Sequence, residues 1–280
     1  MLKMLMKYEW KYIWKKLLLF AGILMFATLI GGLSTTQFDN LASPDQILGF
    51  LGAMFGFMFY YTLLIGAVIG FSLIVGIRFY KVVFGDMGYV TNSLPVSARQ
   101  IYASHLIVYG LCTFVISGLM EFSIMTVTNT MFTNMFNELN ASDAADVSYL
   151  HFGPASLAEV FGLSEFGAGI LMTLLLIVGT ISSLLMIYAA VVLGQNWKRH
   201  KVWGAVVSYI IIYSIMMVAA WIVTIPYMIH MFMNAASMGD TAMPVFGPSF
   251  WVICLALSAV FGIATFCIMD HGMTKKLNLE

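Results

Sequence analysis

Long apolar runs alternate with short polar breaks along this chain. Six runs stand out: residues 17–33, 47–77, 98–128, 168–194, 202–228 and 249–269. Each reaches or exceeds the roughly 17–25 residues that a helix needs to cross a hydrocarbon core of about 30 Å. The pattern predicts six membrane-spanning helices. At ~1.5 Å per residue, the run 47–77 is longer than the core is thick, so it should tilt or protrude. Its Gly52/Gly56 and Gly66/Gly70 pairs have the small-xxx-small spacing that lets helices approach closely. Pro226, near the end of the fifth run, predicts a kink or a helix end there.

The segments between the runs carry their own patterns. In residues 1–16, Lys3, Lys7, Lys11 and Lys15 form one stripe, and Met6, Trp10, Ile13 and Leu17 form another. This predicts an amphipathic interfacial helix in which Lys3, Lys7, Trp10, Lys11 and Trp14 meet the membrane surface; a plain extension of the first span is the alternative. Between spans two and three, Gly85, Gly88 and Pro95 interrupt the helix and leave residues 80–89 as a short amphipathic helix. Ser97 with Gln100 fits a capping box, and Val96 with Ile101 fits a hydrophobic staple, so the third helix should start near Ala98. Residues 129–167 form the longest break. It holds Glu138, Asp143, Asp146, Glu159 and Glu165 and no Lys or Arg; Gly153-Pro154 marks a turn, and residues 155–163 suit a short helix. Residues 230–248, rich in Met and Phe, suit a segment that dips back into the outer leaflet.

Composition agrees with this layout. Of the 280 residues 61% are hydrophobic and only 9% charged, against about 25% charged in soluble domains. All 13 Lys and Arg fall in four places: five before the first span, three between spans two and three, three between spans four and five, and two in the tail. By the positive-inside rule, both termini are expected in the cytoplasm. Cys112, Cys254 and Cys267 lie inside apolar runs and match neither a disulfide framework nor a metal site. No cleavable signal peptide is expected.

Catalytic and nucleotide-binding motifs are missing. There is no phosphate-binding Gly-Lys-Ser/Thr loop, HExxH or GxSxG. His105, His151, His200, His230 and His271 are scattered. Glu121 is the one acid deep in a run, about 24 Å along a helix from His105. It reads either as part of a substrate path or gate, or as a carboxylate near the outer interface. The 22 Met and 22 Phe read first as ordinary lipid-facing and packing surface, and also suit a cavity for varied apolar ligands.

The residues Phe84-Gly85-Asp86-Met87-Gly88-Tyr89, Ser93-Leu94-Pro95-Val96-Ser97 and Arg99-Gln100-Ile101 resemble the segment between spans two and three of bacterial ABC-transporter permeases of the type-2 exporter fold. The basic-aromatic start and the tail Lys276-Leu277-Asn278-Leu279-Glu280 are similar too, while His105 departs from the Lys expected there. The resemblance implies an all-α polytopic membrane protein in one permease domain, with an interfacial helix, a coupling helix and a re-entrant segment between spans five and six. It also implies a second permease, the same or a related chain, and two copies of an ATPase subunit that hold ATP and Mg, with no cofactor on this chain and no nucleic-acid partner. Phe84, Asp86, Met87, Tyr89, Leu94, Pro95 and Arg99 are then the expected ATPase-coupling residues. The chain would not be an enzyme by itself, and it would sit in the bacterial inner membrane. Two other readings remain: a stand-alone secondary transporter, or a non-transporting sensor or assembly subunit that uses the 129–167 loop.

Overall fold

The structure is a computed structural model and describes residues 2–36, 46–85, 88, 98–140, 165–197, 201–238 and 248–275. Six helices follow in order: α1 (Leu2–Thr36), α2 (Gln46–Val83), α3 (Ala98–Asn140), α4 (Glu165–Gly194), α5 (Lys201–Met238) and α6 (Pro248–Lys275). Each contains a stretch long and apolar enough to cross a membrane. The chain is a multi-pass membrane protein by that measure, and the described residues contain no strand.

The helices are longer than the apolar runs, because polar flanks continue a helix whose backbone is already hydrogen-bonded. α1 runs unbroken from Leu2 to Thr36, so the N-terminal segment is helical and continuous with the first span. α3 starts at Ala98, where the capping signals put it, and reaches Asn140 rather than stopping near 128. α5 passes through Pro226 and on to Met238, so residues 230–238 belong to a long helix. Pro226 therefore does not end the helix. The remainder of the expected re-entrant segment, 239–247, lies outside the described residues, as does the short helix expected at 155–163.

Two ends are shaped by glycine. α2 closes through Phe84 N–H and Gly85 N–H, which both donate to the Tyr80 carbonyl at 2.9 and 3.0 Å. A Cβ on Gly85 would lie 2.9 Å from the Lys81 carbonyl oxygen, so only glycine fits this turn without a shift. Between α4 and α5, Gln195, Asn196 and Trp197 each donate a backbone N–H to the carbonyl three residues back. Here Gly194 and Gly204 pack face to face: a Cβ on Gly204 would meet the Gly194 oxygen at 2.8 Å and the Trp197 ring at 2.8 Å.

Contacts divide the chain into two units. One contains Met1–Glu9, Ile74–Leu111 and Leu171–Glu280. Its core is the second half of α4, where Leu184–Met186 and Tyr188–Val192 are buried. Phe79 of α2 stacks on Tyr188 at 4.0 Å, and Ser182 donates to the Ser258 carbonyl of α6 at 2.8 Å. Among the described residues of α5 only Gly204 is buried. The other unit contains Trp10–Leu73 and Cys112–Ile170. In it α1, α2 and α3 meet through a chain of hydroxyls: Thr28 donates to Ser123 at 2.8 Å, and Tyr60 and Ser123 share a bond of 3.1 Å. Phe20 meets Phe71 edge-on at 5.7 Å in the same unit.

Candidate functional site

The first unit holds a cluster of charged side chains that joins helices, centred on Glu9. Glu9 is the one acid among the five lysines of residues 1–16. It faces inward and is 6% exposed. Arg78, five residues before the end of α2, grips it with two parallel bonds: Nε–H to Oε2 at 3.1 Å and Nη2–H to Oε1 at 3.0 Å. This fork-on-fork geometry is the strong, orientation-specific form of an arginine–carboxylate contact. Tyr109 of α3 donates its hydroxyl to Glu9 Oε2 at 2.7 Å. One carboxylate thus ties the start of α1 to the end of α2 and to the first turns of α3.

His105 completes the cluster. It is fully buried, with Nε2 3.8 Å from Glu9 Oε1. Its ring lies parallel to Tyr109 at 5.4 Å and edge-on to Phe79 at 5.9 Å. Neither ring nitrogen makes a hydrogen bond among the described residues. His105, Tyr109 and Phe79 therefore form an aromatic wall that excludes water from the ion pair and strengthens it electrostatically.

A second tie lies near the start of α3. Tyr102 donates its hydroxyl to Asp270 Oδ1 of α6 at 2.8 Å and meets Phe266 edge-on at 6.5 Å. The segment between α2 and α3 is thus flanked on both sides by anchored turns. On the α2 side are Arg78 and Phe79; on the α3 side are Tyr102, His105 and Tyr109.

The residues expected from sequence distribute around this cluster. Phe84 sits in the turn that ends α2 and is half-buried. Asp86, Met87, Tyr89, Leu94 and Pro95 lie outside the described residues, and Arg99 falls in the first turn of α3. Lys3, Lys7, Lys11, Trp10 and Trp14 are all exposed on α1; the buried face runs through Glu9, Ile13 and Leu17, and Trp10 points away from it. Glu121 is exposed on α3. Sequence reasoning missed Glu9 and Tyr109, counted Arg78 only as a cytoplasmic charge, and noted His105 only as a departure. One signal was available: Glu9, Ile13 and Leu17 repeat every four residues, so a lone acid shares a face with the apolar positions of the helix.

Among the described residues no three His, Cys, Asp or Glu side chains are placed to hold a metal ion. Comparison of the chain with family models, with curated proteins and with solved structures finds no match.

Proposed function

We propose that the chain is the membrane-spanning permease subunit of an ATP-binding-cassette transporter of the type-2 exporter kind. It exports a hydrophobic or amphipathic compound, such as a peptide or drug, and is powered by a separate ATPase subunit that holds ATP and Mg. In this reading two permeases, identical or related, sit on two ATPases in the bacterial inner membrane, with both termini in the cytoplasm. The segment 84–99 serves as the coupling element, and the basic-aromatic start of α1 lies at the membrane interface.

One observation carries the reading. The two helix ends that flank the coupling segment are joined through Glu9 to a third helix, by three charge-assisted bonds. A partner that displaces this segment then acts on a joint that holds residues of α1, α2 and α3. In this reading the force comes from the separate ATPase subunit, and these 280 residues carry no nucleotide-binding motif of their own. In the test, Glu9→Leu/Arg78→Met is assembled with the ATPase and reconstituted. The expected result is ATP hydrolysis that no longer drives substrate movement, in a complex that still forms. Full transport by the double variant would refute the joint's role.

The same cluster bears on the secondary-transporter alternative, because buried ionisable groups in membrane helices often carry protons. Glu9 already accepts three bonds from Arg78 and Tyr109, which suits a fixed anchor better than a site that releases and rebinds a proton. Transport driven by a proton gradient without ATP would favour that alternative.

A further inference from the structure

The outward face of α1 has no role in the joint. Around the helix from residue 10 to 15, only Ile13 is buried, and Trp10, Lys11, Tyr12, Trp14 and Lys15 are exposed. Trp10 and Trp14 lie side by side with ring centroids 6.3 Å apart, and the Lys16 ammonium sits 3.8 Å above the Tyr12 ring. One turn further on, the exposed residues become purely apolar, with Leu18 at 53% and Leu19 at 59%. This order, from lysine through aromatic to aliphatic, matches the passage from headgroups into hydrocarbon.

We infer that this belt is a binding surface for anionic phospholipid headgroups. The argument is charge complementarity. Zwitterionic lipids neutralise their own phosphates, whereas an unopposed cluster of lysines favours a headgroup with net negative charge. Here the only acid nearby in sequence, Glu9, faces inward and is taken by Arg78. Lys11 and Lys15 have no acidic partner among the described residues. The aromatic rings fix the depth of the helix, and the lysines select the lipid charge. The inference needs only the membrane-spanning character of the chain and stands apart from the transporter reading.

The experiment uses the full chain in vesicles of fixed phosphatidylcholine and phosphatidylglycerol content, with bromine on the tails of one lipid or the other. Bromine quenches nearby tryptophan, and subtracting the signal of a Trp10→Phe/Trp14→Phe variant isolates the belt. Local enrichment of the anionic lipid predicts that brominated phosphatidylglycerol quenches at least about twofold more per molecule than brominated phosphatidylcholine. In Lys11→Gln/Lys15→Gln/Lys16→Gln that preference should vanish while quenching of the other tryptophans is unchanged. Equal quenching by the two lipids overturns the inference. So does a preference that survives loss of the lysines. Quenching by neither lipid also overturns it, and would place the belt in water or against a protein partner.

Discussion

Removing one partner of the Glu9–Arg78 pair should cost far more than removing both. The two side chains are 8% and 14% exposed, so either one left alone is an uncompensated group away from water. Breaking a buried pair in this way typically costs about 3–5 kcal/mol. For Glu9→Ala we expect the lower part of that range, because the long Arg78 side chain can swing its guanidinium toward water. Arg78→Met should cost about as much, since Tyr109 alone is left to hold the carboxylate. Tyr109→Phe removes one bond to a charged acceptor, which is worth about 1.5–3 kcal/mol. Glu9→Leu/Arg78→Met buries no charge and leaves only the Tyr109 hydroxyl without its acceptor, so it should cost about 1–3 kcal/mol, well below the sum of the two singles. The resulting coupling energy in a double-mutant cycle is about 3 kcal/mol or more. The assay is equilibrium unfolding in mixed micelles with increasing dodecyl sulfate, followed by circular dichroism. Single variants within about 0.5 kcal/mol of wild type, with additive effects in the double, would show that no such buried pair exists.

Three other perturbations test separate parts of the structure. Gly194→Ala and Gly204→Ala each push a methyl group into backbone atoms of the facing segment and should destabilise by about 1–3 kcal/mol, while Gly118→Ala, which meets nothing within 4 Å, should be neutral or mildly stabilising; thermal melts in detergent compare them. Ser123→Ala strips Thr28 and the buried Tyr60 hydroxyl of their shared partner and should cost about 1–3 kcal/mol, more than Thr28→Ala, in the same melts. Cys112 is buried and Cys267 is exposed on the outside of α6, within its candidate span. In membranes, Cys267 should react with a lipid-soluble maleimide but not with a charged one, and Cys112 with neither until the protein is unfolded; labelling by mass spectrometry decides.

The helices were legible because membrane spans follow from apolar length alone, and all six long apolar runs became helices. The start of α3 was legible from local capping chemistry, and Gly85 from its place after a long helix. Helices run past the apolar stretches where polar residues continue them, as at the ends of α3 and α5. Hydropathy marks where a helix enters lipid rather than where its hydrogen bonds stop. The joint was hidden for a different reason. Glu9, Arg78 and Tyr109 are far apart in sequence, and each has an ordinary local explanation. Counting charges to orient the chain treats Arg78 as one more cytoplasmic cation and Glu9 as an exception. Only their spatial meeting turns the pair into a tie between three helices. The stripe of residues 1–16 was half legible: the lysines do share a solvent-side surface, but the tryptophans join them there, leaving the inward face to Glu9 and Ile13.

The most direct test of the proposed role is isolation of the chain from its native membrane in mild detergent, with quantitative mass spectrometry of the proteins that accompany it and assay of ATP hydrolysis. The account predicts an ATPase in roughly equal amount to this chain, whose hydrolysis drives substrate across reconstituted vesicles. Recovery of the chain alone, together with transport in vesicles that contain neither ATP nor a second protein, would contradict it.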